Sequence, residues 1–173
     1  GRKTTLNLIK YVEKHPDTVF AVISQKDGNV DEPKEKDLHR MGIYAKLVRV
    51  FDIPGSPNGE NRTAIIQGLG RCQLDEITSE KPYTVGKTHS LLEEKIDKND
   101  KEFITAVNDM KITAKEYIQG SDDIPDDSQF ALDNISHPVV SVNYICANMP
   151  FSVSEKIQLL KEDSVKDRLF RLM

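Results

Sequence analysis

The sequence predicts an α+β protein: a small, mixed, barrel-like sheet with one helix, followed by an α-helical bundle. Three observations predict it. Short β-branched or alternating runs separated by turn residues fill the first half. Further on, the apolar spacing changes from two to three and four. Between these halves the charged run EEKIDKNDK at 93–101 breaks both patterns. The boundary follows from that run, with a β-rich part at 1–95 and a helical part at 96–173.

Each element has its own signal. Thr4 or Thr5 can cap a first helix in which Leu8, Ile9 and Val12 share a face, and His15-Pro16 ends it. Thr18–Ile23 is a β-branched apolar run, expected to be a strand buried on both faces. Ile43, Ala45 and Leu47 alternate with Tyr44, Lys46 and Val48, giving a second strand with one wetter face. The turn-rich Ile53–Gly59 and then Thr63–Ile66 read as a hairpin with a long tip. Gly68-Leu-Gly70 reads as a tight connection to a further strand at Arg71–Thr78, and Tyr83–Leu92 as another.

In the second half Phe103, Val107, Met110, Ala114 and Tyr117 form a helical stripe that Gly120 ends. Gly120–Ser128 reads as an acidic loop. Pro138 sits early in the next helix, where its missing N–H costs nothing, and Met149-Pro150 breaks that helix. Ser152-x-x-Glu155 is a capping box ahead of Val153, Ile157 and Leu160. Ser164-x-x-Asp167 caps a last helix with Val165, Leu169 and Leu172. That helix has a start signal and no stop, and Gly1-Arg-Lys opens the chain just before a helix. Both ends are therefore expected to be cut from something longer.

A chain of 173 residues with 38% hydrophobic and 30% charged residues can bury a core in one or two domains. No apolar run approaches the ~20 residues a membrane helix needs. No basic stretch followed by an apolar one opens the chain. Cys72 and Cys146 form no C-x-x-C pair, which points to buried thiols in a reducing compartment, with the cytoplasm as the expected location and a mitochondrial matrix also compatible. The net charge is −4, with 5 basic against 12 acidic residues over 93–133. An acidic middle argues against a nucleic-acid backbone as the main partner. With only 11 Phe plus Tyr and no Trp, single-stranded RNA stacking is also poorly supplied.

No motif supports catalysis. Gln67-Gly-Leu-Gly-Arg71 lacks the following helix whose N–H groups a phosphate loop needs. Val85-Gly-Lys-Thr88 carries the tail of a Walker loop, but Lys81 stands where its first glycine belongs. His15, His39, His89 and His137 share no metal-ligand spacing. Cys72 has no histidine near it in sequence, and no G-x-S-x-G is present. Asp122/Asp123 and Asp126/Asp127 lack the alternation of a calcium loop and read as helix caps around Ile124-Pro125. The expectation is no catalytic, no cofactor-binding and no metal residue.

One ordered series of short motifs remains: Ser24-Gln-Lys-Asp27, Asp31-Glu-Pro33, Met41-Gly-Ile-Tyr-Ala-Lys-Leu47, Gln67-Gly-Leu-Gly-Arg71, Asp123-Ile-Pro-Asp126 and Met149–Leu160. With Gly1-Arg-Lys3 it resembles, over residues 1–173, the amino-terminal substrate-binding domain of bacterial-type ATP-dependent Lon proteases. The chain departs from the family at Gln67, where the family carries glutamate, and in the length of the 53–60 tip. It also lacks the family's first pair of strands, so the resemblance implies a fragment whose sheet has lost two neighbours.

The resemblance implies recognition of unfolded or degron-bearing proteins, and their delivery to ATPase and Ser–Lys protease modules of a homohexameric parent. Those modules are absent here. ATP and magnesium are expected only in the missing ATPase module, and the fragment itself is not expected to be an enzyme. A stand-alone Lon-like binding module without protease is the alternative. Recognition of many sequences needs exposed apolar side chains, and the candidates are Met41, Phe51, Ile53, Pro54, Tyr83 and Phe151. Neither a membrane nor a nucleic acid is expected as a partner.

Overall fold

The structure, a computed structural model, describes residues 2–54, 61–125 and 127–173. The expected hairpin tip therefore lies mostly outside the described residues, as do Gly1 and Asp126. The chain divides into two compact units, Gly1–Leu91 and Leu92–Met173. The division falls ahead of the expected 95/96 boundary because the charged run joins the helices. Arg168 Nη2 donates to Glu93 Oε1 at 3.1 Å, and the Glu94 N–H donates to the Asp163 carbonyl at 3.4 Å.

The first unit holds helix α1 (Lys3–Lys14) and strands β1 (Val19–Gln25), β2 (Leu38–Asp52), β3 (Arg62–Ser79) and β4 (Val85–Ser90). A short 3-10 turn at Glu35–Asp37 leads into β2. The sheet is antiparallel throughout, in the order β1-β2-β3-β4. This corrects the mixed, barrel-like expectation. Among the described residues β1 and β4 each pair with one neighbour only, so the sheet stays open rather than closing. It also corrects the reading of β1 as buried on both faces: its inner residues are half-buried, as suits an edge strand.

The Gly68-Leu-Gly70 connection does not exist either. β3 runs straight through it for 18 residues, and Leu69 is a bulge between the Gly70↔Tyr44 and Gly68↔Ala45 pairs. The reading failed because a glycine-flanked bulge and a turn have the same composition. Gly42 is demanded by close approach. A Cβ there would collide with the carbonyl oxygen of Val22 and Cδ1 of Ile23 on β1.

α1 begins at Lys3, with Arg2 at its N-cap and no side-chain cap, so neither Thr4 nor Thr5 caps it. Instead the Arg2 guanidinium reaches Gln25 at the end of β1 and the Val30 carbonyl. Ile9 and Val12 are buried on its inner side.

The second unit comprises α2 (Lys101–Gln119), α3 (Asp127–Asn134), α4 (Pro138–Asn148), α5 (Val153–Lys161) and α6 (Val165–Leu172). Its core joins Phe103, Val107, Met110 and Ala114 of α2 to Leu132, Val142, Ile145 and Leu169. The expected α2 stripe ends differently. Ile118 is 1% exposed, whereas Tyr117 is 52% exposed. α3 packs on the flank of Lys115 (Nζ to Asp133 Oδ1, 2.7 Å) and Gln119, which adjoins Ile118 rather than Tyr117.

Local signals hold at the helix starts. Asp100 caps α2 by accepting from the Phe103 N–H at 2.9 Å. Ser152 and Glu155 form the capping box of α5, Ser152 Oγ accepting from the Glu155 N–H at 3.2 Å and Glu155 Oε2 from the Ser152 N–H at 2.8 Å. Ser164 caps α6 through the Asp167 N–H.

Candidate functional site

β2 and β3 are the longest strands, and their outer ends form an antiparallel pair down to Asp52↔Arg62. Directly opposed residues share a face. On one face lie Leu47↔Ile66, Val50↔Ala64 and Asp52↔Arg62; on the other lie Arg49↔Ile65 and Phe51↔Thr63. The switch occurs at Val48, the extra residue of a bulge between the Leu47 and Arg49 pairs. Plain alternation from Leu47 would have put Phe51 on the same face as Ala45. The bulge turns it to the other side.

The first of these faces is held by α1. Arg62 Nη1 and Nη2 donate to the two carboxylate oxygens of Glu13 at 2.7 and 3.0 Å, and its Nε donates to Asp52 Oδ1 at 2.8 Å. This bidentate pairing holds the Glu13 carboxyl below the usual carboxylate range. It clamps the loop end of the hairpin to the end of α1.

The opposite face carries an exposed apolar strip. Phe51 is 40%, Ile53 46% and Ile65 46% exposed, and Pro54 is exposed beside them. The Arg49 guanidinium lies 4.7 Å from the Phe51 ring centroid. Such a contact contributes roughly 0.5–1 kcal/mol at an exposed site and holds the ring upright. The strip thus offers a positioned aromatic ring, two β-branched side chains and one cation. It can bury apolar side chains of another chain without demanding a sequence, since it presents few directional groups.

Of the residues expected from sequence, Phe51, Ile53 and Pro54 come together here. Met41 is 7% exposed and has little surface to offer. Tyr83 is half-buried with its ring 5.6 Å from that of Tyr11. Phe151 belongs to the helical unit, packed against its core. Sequence reasoning missed Ile65 and Arg49. The hairpin alternation contained the signal for Ile65, but its face depends on the bulge.

The two thiols, His89 and the Walker-like run are spent or inert. Burial pushes the Cys72 thiol up, and that of Cys146 to about 11. His89 Nδ1 lies 2.9 Å from both Asp75 oxygens in an exposed cross-strand pair. The Walker-like Gly-Lys-Thr lies within β4, with the Thr88 hydroxyl 2.8 Å from that of Tyr44. Among the described residues no three His, Cys, Asp or Glu side chains cluster to hold a metal, and no helix is long and apolar enough to cross a membrane.

The family model described as the ATP-dependent protease La (LON) substrate-binding domain matches residues 1–173. The Lon protease of Parabacteroides distasonis is 32% identical over 173 residues, covering 100% of this chain and 20% of that protein. The Lon protease of Flavobacterium johnsoniae is 34% identical over 150 residues, 87% of this chain and 18% of that protein. The chain therefore spans about a fifth of the length of the curated relatives it matches.

Two solved structures share the fold. The N-terminal domain of the Mycobacterium avium complex Lon protease aligns with a TM-score of 0.61 at 16% identity, over 91% of this chain and 88% of that one. A Lon N-terminal domain protein from Xanthomonas campestris aligns with a TM-score of 0.63 at 15% identity, over 96% and 80%. With a family model matched from its first residue to its last, this chain belongs to the Lon substrate-binding domain family.

Proposed function

We propose that this chain is the client-recognition part of an ATP-dependent Lon serine protease. It holds unfolded or degron-bearing polypeptides for delivery to ATPase and protease modules, in a homohexameric cytoplasmic parent. The observation that carries the reading is the apolar strip of Phe51, Ile53 and Ile65, exposed on a hairpin whose opposite face is clamped by Arg62. An unfolded client differs from its folded form mainly in the apolar side chains it exposes, and a strip of this kind reads that difference. ATP and magnesium belong to the ATPase module in this reading, and the chain itself contributes contact surface only.

The test is a titration of a fluorescently labelled, permanently unfolded protein, such as reduced and carboxymethylated casein, with the 173-residue chain. Phe51→Asp with Ile65→Asp should weaken binding at least about tenfold, since a central aromatic anchor contributes on the order of 2 kcal/mol. Both side chains are exposed, so the circular dichroism spectrum should not change. Undiminished affinity in a folded double variant would sink the assignment. Incubated with casein and ATP, the chain alone should release neither peptides nor phosphate.

A further inference from the structure

The helical unit carries a groove of about 440 Å³ that the hairpin reading does not use. It lies between the first turns of α2, the 96–98 segment and the start of α4. Its size falls within the range of small-ligand sites. Its apolar walls are the half-buried Ile96, Ile104 and Val139, backed by the buried Phe103 and Val107 of the core. The rim is basic, made of Lys98, Lys111 and His137.

Two features make that rim unusual. Among the described residues none of these three side chains is in an ion pair. Lys111 Nζ donates to the Ile135 carbonyl at 2.8 Å, which satisfies one hydrogen without neutralising the charge. Asp97 also lines the groove and keeps its negative charge while its Oδ1 accepts from the Asn99 N–H at 2.9 Å, so two lysines against one acid leave the lining net positive. Meanwhile residues 92–173 carry 10 Lys and Arg against 16 Asp and Glu, so the surroundings repel anions. A net positive rim beside apolar walls suits a ligand with an apolar group and an anion side by side.

We infer that this groove takes the C-terminal residue of a client polypeptide, its apolar side chain between Ile96, Ile104 and Val139 and its α-carboxylate against Lys98, Lys111 and His137. A chain terminus carries its carboxylate on the same Cα that bears the side chain, with the backbone leaving in a single direction. That geometry brings an apolar side chain and an anion to one place within a single residue. The inference rests on the reading that the clients are polypeptides. It names a second contact, on a different unit from the hairpin, that reads the end of the client chain.

The test is fluorescence anisotropy with the whole 173-residue chain and an uncharged decapeptide ending in Ala-Leu, labelled at its amino terminus. Its amidated twin should bind at least about tenfold more weakly, because the charge-assisted contacts are lost. Lys98→Glu should weaken the free acid severalfold, and Asn108→Trp, on the exposed lip of α2, should block it. Both positions are exposed, so both variants should keep the wild-type circular dichroism spectrum. Equal affinity for acid and amide would overturn the inference. So would an absence of saturable binding up to about 1 mM, or tighter binding of an amidated peptide with an internal Leu-Glu.

The hairpin double variant separates the two readings. It should bind the tail peptide as the wild type does, and loss of binding there would assign the peptide to the hairpin. If instead that variant keeps full affinity for unfolded casein, the hairpin assignment fails while the groove assignment stands on the peptide data.

Discussion

Arg168 is 3% exposed and charged, and every polar contact it makes is to a different segment. Nη1 donates to Asn143 Oδ1 of α4 at 2.5 Å, and Nη2 donates to the Glu162 carbonyl after α5 at 2.7 Å and to Glu93 Oε1 at 3.1 Å. A planar fork can serve three acceptors at once, and a lysine cannot. Arg168→Met should therefore destabilise the helical unit by about 2–3 kcal/mol, below the full cost of breaking a buried pair because Glu93 keeps water access. Arg168→Lys should recover little of this, and urea unfolding followed by circular dichroism reads both. Glu13 gives a prediction in pH. Its carboxyl is held below the ordinary value by Arg62, so the folded state binds fewer protons than the unfolded state in that window. The clamp is then fully formed above the unfolded value near 4.3 and is lost as pH falls through the lower folded value. Acid titration should loosen α1 first, and Glu13→Gln should flatten that pH dependence.

At the scale of elements, the Val48 bulge decides what the hairpin displays. Arg49, Val50 and Phe51 already stand in phase with β3 once Val48 is set aside. Deleting Val48 should therefore keep Phe51 beside Ile65 and leave binding of unfolded casein within about twofold, an outcome rare for a one-residue deletion inside a strand. Loss of the Arg62–Glu13 contact in that variant would mean the phase is set elsewhere. The same bulge marks what could be read from sequence. Caps and stops were legible because they are local: Ser152-x-x-Glu155, Ser164, Pro138 and His15-Pro16 each act within one turn. The continuity of β3 was not, because Gly68 and Gly70 around a bulge look like a turn. The choice of Ile118 over Tyr117 depended on where α3 packs. Phe51, Ile53 and Pro54 were legible as apolar residues at a strand end, whereas Arg49 and Ile65 required the cross-strand register. Met41 looked equally available in sequence and is buried in the sheet unit, while Phe151 is half-buried against the helical core.

For the molecule as a whole, separation into an open sheet unit and a helical unit gives two kinds of surface: an apolar strip on one and a basic-rimmed groove on the other. The two edges of the sheet are unlike. β4 carries Lys87 and His89, which discourage another strand from joining. β1, with the sequence VFAVISQ, has no charge and no proline over its seven residues. Nothing in its side chains deters a second molecule from docking alongside by main-chain hydrogen bonds. Concentrated solutions of the chain should accordingly show reversible dimers by light scattering, and Val19→Lys, at a position 47% exposed, should return them to monomers. A strict monomer at high concentration would show that the rail is already occupied or too twisted to template a mate.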